Sequence, residues 1–170
     1  MDQALLKRLE VFHAAAELMH RYQALVDAKD VDGLAGLVTD DVELVRVQGN
    51  RKGREAFLDL YREFAASDVE LAQHMLTNLQ VSPLGGERYQ VDACFWVITT
   101  HRTGEARQVW GRYRNDIVQA DGEWRIAAKR ISVTGIAIVP EDALVPADVT
   151  SFGPLPRRVT TTEHGGERVR

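Results

Sequence analysis

The hydrophobic periods along this chain predict an α+β fold, with helices gathered at the N-terminal end and an antiparallel sheet after them. Three observations carry the prediction. Apolar residues recur every three or four positions over roughly the first 28 residues, the mark of a helix face. Four strand-like segments follow one another from Leu71 onward. The turns between those segments are too short for parallel crossovers, so successive strands must pair antiparallel. A chain of 170 residues, 45% hydrophobic and 27% charged, suffices for one domain with a sizeable core and would be cramped as two.

Taken in order, Gln3 to Ala28 carries Leu5, Leu9, Phe12, Ala16, Met19, Tyr22 and Val26 at helical steps, which predicts a long first helix with that stripe inward. Asp30 is a suitable N-cap for a short helix through Val38. Thr39-Asp40-Asp41 then turns into a strand over Val42 to Val47, and Gln48-Gly49-Asn50 is a turn. From Gly53 the helical period returns, with Phe57, Leu60, Tyr61 and Phe64 on one side, and the helix ends by Ser67-Asp68. The meander follows as Leu71 to Ser82, Tyr89 to His101, Arg107 to Gln119 and Glu123 to Thr134. Residues 1–139 are therefore expected to form the domain. Residues 140–170, with four prolines and no sustained period, are expected to form an extended tail, docked to about Leu155 and frayed beyond.

Composition narrows the function. A net charge of -4 with dispersed basic residues argues against nucleic acid as a partner. The single cysteine, Cys94, permits no internal disulfide and builds no zinc site alone. No stretch approaches the roughly 20 apolar residues that cross a bilayer, and charged residues interrupt the first helix where a signal sequence would be apolar. The expectation is a soluble cytoplasmic protein with no phosphate loop, nucleotide fingerprint or metal-ligand cluster.

Two residues stand out against this background. His74 lies in the strand run Gln73-His74-Met75-Leu76-Thr77-Asn78, where a structural strand would carry Val or Ile. It reads either as a satisfied core histidine or as a base. Asp27 closes the first helix, where the macrodipole disfavours a carboxylate, so it needs compensation or a function. On a flat strand His74 shares its face with Ala72, Leu76 and Asn78. Both faces are mixed, and a bulge would reverse the assignment locally.

The wording Tyr22 to Asp27, Asp30 to Leu37, Thr39-Asp40-Asp41-Val42, Gly53-Arg54-Glu55-Ala56, His74 through Thr77-Asn78-Leu79, and Asp121-Gly122-Glu123-Trp124-Arg125-Ile126 resembles the SnoaL-like branch of the nuclear-transport-factor-2-like superfamily. The resemblance implies a cone-shaped, curved antiparallel sheet packed against three N-terminal helices. Within that branch the chain is similar to scytalone dehydratase, hexachlorocyclohexane dehydrochlorinase and bile acid 7α-dehydratase. By that resemblance Asp27 and His74 form a catalytic dyad, Tyr22 donates to a substrate oxygen, and Asn78 helps orient the substrate. A cation on the last strand of some members falls on Lys129 or Arg130, and the second histidine of scytalone dehydratase has only His101 as a counterpart.

Trp96, Trp110 and Tyr113 read first as sheet-packing aromatics. Inside a cone they would line a pocket for a flat hydrophobic substrate. The expectation that follows is a lyase or isomerase needing no metal or organic cofactor, acting on a hydrophobic oxygenated small molecule. The alternatives are a non-catalytic pocket or assembly subunit resembling dioxygenase small subunits, and a cyclase- or ketosteroid isomerase-like enzyme using Asp27 alone. The curved sheet's outer face predicts a homodimer or homotrimer, with the trimer suggested by related dehydratases.

Overall fold

The computed structural model describes residues 2–144. Helix α1 spans Gln3–Asp27 and starts on Asp2, whose carboxylate accepts the Ala4 amide N–H. Helix α2, Val31–Ala35, is capped by Asp30 through the Gly33 N–H at 2.8 Å, as the sequence predicts. Strand β1 (Val38–Val45), the two-residue β2 (Arg51–Lys52) and helix α3 (Arg54–Ala65) follow. The meander is β3 (Val69–Gly85), β4 (Arg88–His101), β5 (Ala106–Ala120) and β6 (Glu123–Val139), and a 3-10 turn at Glu141–Ala143 ends the described chain.

All six strands form one sheet in the order β2-β1-β6-β5-β4-β3, so β3 is an edge. The meander is antiparallel throughout, as predicted, and β1 adds to β6 in parallel. That addition explains why β1 starts at Val38 rather than Val42: the Ile126 N–H donates to the Leu37 carbonyl at 2.8 Å and draws the chain into the ladder. The meander strands also outrun their predicted ends. β3 carries Pro83, tolerated because an edge strand can spare a donor. The 140–170 tail proposed from sequence falls outside the described residues beyond Leu144.

The core lies between α1, α3 and the inner face of the sheet, with Met19, Tyr22, Val26, Leu34, Phe57, Tyr61, Val91, Ile117 and Ile126 buried together. The first half of the predicted α1 stripe is not part of it. Leu5, Leu9 and Phe12 are exposed, while Val11, Ala15 and Leu18 are buried in their stead. The buried face of α1 starts at Val11, and the turns before it stand clear of the core.

Register fixes which residues share the inner face. One cross-strand row is Val91–Asn115–Lys129 and another is Ala93–Tyr113–Ile131, both under the helices. Three further rows follow: Leu76–Phe95–Gly111–Val133, His74–Val97–Val109–Ile136, and Ala72–Thr99–Arg107–Ile138. Ile136 and Ile138 are 59% and 61% exposed while Ala72, Val97 and Thr99 are buried, so among the described residues these rows open toward β6 as a shallow trough. His74 stands at the border between covered and open rows.

Candidate active site

Asp27 is the last residue of α1, and the helix delivers it to the free edge of β3. Its Oδ2 accepts the His74 backbone N–H at 2.9 Å and its Oδ1 lies 2.5 Å from His74 Nδ1. One carboxylate therefore holds both the strand and the ring. An acceptor at Nδ1 places the proton of a neutral imidazole there, so Nε2 keeps its lone pair. The His74 side chain is 10% exposed and Asp27 25%, which leaves the pair within reach of a molecule in the trough while water contact is restricted.

Beneath the dyad lies a buried aromatic group. The Tyr22 hydroxyl is 2.9 Å from that of Tyr61, and the Tyr22 ring meets Tyr61 and Tyr113 edge-on. Burial, then the neighbouring Tyr61 and Tyr113, push the Tyr22 phenol well above its ordinary value, and burial also raises Tyr61 and Tyr113. All three remain neutral donors at physiological pH. Phe95 stacks on Tyr113 with centroids 4.3 Å apart and extends across Gly111, where a Cβ would sit 2.9 Å from the Phe95 ring.

Lys129 is fully buried between two ring faces, with Nζ 3.9 Å from the Tyr22 centroid and 3.7 Å from that of Tyr113. Burial lowers its amine well below the usual lysine range. Its Nζ has no hydrogen-bond partner among the described residues. Two aromatic faces offer an ammonium some compensation for lost water.

The structure thus gathers Asp27 and His74 into contact and sets Tyr22, Tyr113 and Lys129 together beneath the inner face. It does not bring the other predicted binding residues to them. Asn78 adopts φ +55 within the register shift between Thr77 and Gln80 and borders an outer-face cavity of about 520 Å³ with Asp92, Cys94 and Arg112. The irregularity breaks the strand alternation that would have kept Asn78 on the face of His74. Trp96 and Trp110 pair across β4 and β5 on the outer face, and Arg130 also points outward, to Asp116 at 3.0 Å. These four are corrections to the substrate-binding set read from sequence.

Sequence reasoning missed Tyr61 as a hydroxyl partner, because its place on the inward stripe of α3 marks it only as core. It also missed a second carboxylate–imidazole pair. His101 Nδ1 is 3.0 Å from Asp68 and its Nε2 is 3.0 Å from the Thr99 hydroxyl. His101 is buried at the strand end, away from the row of His74.

Residues 7–130 match the SnoaL-like domain family. The chain belongs to that family. Its fold is that of the nuclear-transport-factor-2-like superfamily, and solved structures agree with it. A provisional scytalone dehydratase from Novosphingobium aromaticivorans superimposes with a TM-score of 0.72 at 19% identity, over 76% of this chain and 88% of that one. The type-3 hexachlorocyclohexane dehydrochlorinase of Novosphingobium barchaimii gives 0.73 at 22% identity, over 84% and 99%. A Mycobacterium tuberculosis protein of unknown function gives 0.69 at 23% identity, over 78% and 76%. No curated protein sequence matches. At these identities the SnoaL-like chain shares a fold with dehydratase and dehydrochlorinase structures.

Proposed function

We propose that this SnoaL-like protein is a lyase of the dehydratase or elimination type, or an isomerase, acting on a hydrophobic oxygenated small molecule in the trough beside His74. The observation that carries the reading is the grip of both Asp27 oxygens on His74. Nε2 is the base: it takes a proton from a carbon next to a carbonyl or hydroxyl-bearing carbon. The electron pair of that C–H bond forms a double bond as the leaving group departs or, in an isomerisation, delocalises toward the adjacent carbonyl while the imidazolium returns the proton at another carbon. Asp27 stabilises the imidazolium that forms. The paired Tyr22 and Tyr61 hydroxyls share one proton between them and keep one O–H to donate, which suits them to a substrate oxygen or a leaving hydroxide. Valine and isoleucine along the open rows select an apolar skeleton.

The neighbours described as a scytalone dehydratase and a hexachlorocyclohexane dehydrochlorinase support elimination chemistry in this fold. A lone-Asp27 mechanism fits less well, because both carboxylate oxygens already face His74 donors.

The test needs two readings. ¹⁵N NMR of the imidazole reports the tautomer before any substrate is known: the wild type should show the Nδ1-protonated form, and Asp27→Asn should lose it. A panel of cyclic hydroxyketones and halogenated rings, followed by mass spectrometry for loss of water or hydrogen halide, should then give turnover that falls about 10²- to 10⁴-fold in His74→Ala. Full turnover in that variant would remove His74 from the chemistry.

A further inference from the structure

The N-terminal turns of α1 and the turn end of the β3–β4 hairpin border a common cavity of about 960 Å³. Leu5, Leu9 and Phe12 line it from the helix and are half-exposed. Leu79, Val81 and Tyr89 line it from the sheet, where they also pack against the rim of the core. Apolar side chains thus stand on both walls without closing the gap between them, because α1 meets the core only from Val11 onward. Small-molecule sites enclose roughly 300–1,000 Å³ between mostly apolar walls, and this cavity falls at the upper end of that range.

Its charge is one-sided. Lys7 and Arg8 stand in the wall and no aspartate or glutamate does, although the whole chain carries a net charge of -4. Lys7 meets Glu10 and Glu87 only at 3.7 Å, through exposed side chains, which holds it weakly. Arg8 makes no ion pair among the described residues. On the facing wall Gln80 and Ser82 add hydrogen-bonding groups. Arg8 and Asp27 stand on the same helix about 28 Å apart, at roughly 1.5 Å per residue, so this cavity is separate from the dyad.

We propose that this cavity is a second ligand site, which takes the chain of an amphipathic monocarboxylate of the fatty-acid type and holds its head group at Lys7 and Arg8. Two facing apolar walls suit a slender chain, which buries both of its sides at once. The helical wall from Ala4 to Phe12 runs for about 12 Å, long enough for most of a medium-length acyl chain. The planar guanidinium of Arg8 matches a carboxylate with two parallel N–H donors. A cationic amphiphile would meet repulsion at the same place, and a neutral alcohol would gain chain burial alone. A membrane surface fits less well, since Leu5, Leu9 and Phe12 look across a cavity at a second protein wall rather than outward as a flat face. The site does not depend on the chemistry assigned to His74.

Decanoate below its micellar concentration, titrated by calorimetry, should bind saturably at one site per chain, and each added methylene should tighten binding about fourfold. Decanol should bind about tenfold more weakly, for want of the charged hydrogen bonds. Lys7→Gln/Arg8→Gln should bring decanoate down to the affinity of decanol and leave decanol unchanged. Leu9→Asp, at an exposed position, should abolish binding of both with an unchanged circular dichroism spectrum. Methyl NMR should show decanoate shifting Leu5, Leu9 and Val81 but not Val97 or Val109 in the row of His74. No saturable binding, equal affinity for decyltrimethylammonium, or shifts centred on the row of His74 would each overturn the proposal. So would binding to phosphatidylglycerol vesicles without binding of decanoate, which would make this a membrane face, or dissociation of an oligomer by Leu9→Asp, which would make it a contact between copies.

Discussion

Two carboxylate–imidazole pairs are built into this sheet, and they differ in what the second ring nitrogen does. In both, an acid at or just after a helix end meets Nδ1 of a strand histidine: Asp27 with His74 at 2.5 Å, Asp68 with His101 at 3.0 Å. At His101 the other nitrogen is spent on Thr99, and the residue is buried at the end of β4. At His74 it is not spent on any described residue, and the ring sits where the inner face opens. A carboxylate beside a histidine is thus equally compatible with a structural clamp and with a base. The unspent nitrogen and the open row are what support the proposed role of His74.

Substitutions at the two histidines should separate most widely. His74→Ala is expected to lose turnover by about 10²- to 10⁴-fold with a native spectrum, whereas His101→Ala should keep turnover and lose about 1–3 kcal/mol of stability by urea unfolding, because Asp68 and Thr99 are left without their partner. A His101→Ala variant that is stable but inactive would invert the assignment. Smaller in size, Thr99→Val frees Nε2 of His101 and so tests whether a spare nitrogen alone makes a base. It should cost about 1 kcal/mol and create no new activity, since His101 is only 4% exposed.

The smallest expected effect is in the acid limb of stability. The hydrogen bond from His101 holds the Asp68 carboxyl below its ordinary value. A depressed folded-state pKa adds stability that is fully present above the unfolded value near 3.9 and is lost as pH falls through the folded one. Wild type should therefore lose stability below about pH 4 more steeply than Asp68→Asn, as measured by thermal unfolding across pH. Parallel acid limbs would mean that the Asp68–His101 contact contributes nothing in solution.

Much of this arrangement was legible in the residues, and its failures have physical causes. The α1 period, the Asp30 cap and the short turns predict the helices and the meander because each is a local signal. Asp27 drew notice as a carboxylate at the wrong end of a helix dipole, and His74 as a polar intrusion in a strand; their pairing came from resemblance, since 47 positions separate them. Asn78 was misplaced because the register shift after Thr77 leaves no mark in the alternation of side chains. Trp96 and Trp110 look identical to core aromatics until the face they occupy is known. Lys129 gave no sign that it would be sealed between Tyr22 and Tyr113, because that depends on α1 crossing β6.

The grip of Asp27 on the His74 backbone also bears on how the folded protein behaves in a crowd. β3 is long, and its outer side offers a row of backbone donors and acceptors to any extended chain that drifts past. Asp27 occupies the His74 N–H of that row, and Lys29 occupies the Val69 carbonyl. Residues at the end of one helix thereby blunt the edge against strand addition, so the dyad's carboxylate also serves as a guard against aggregation.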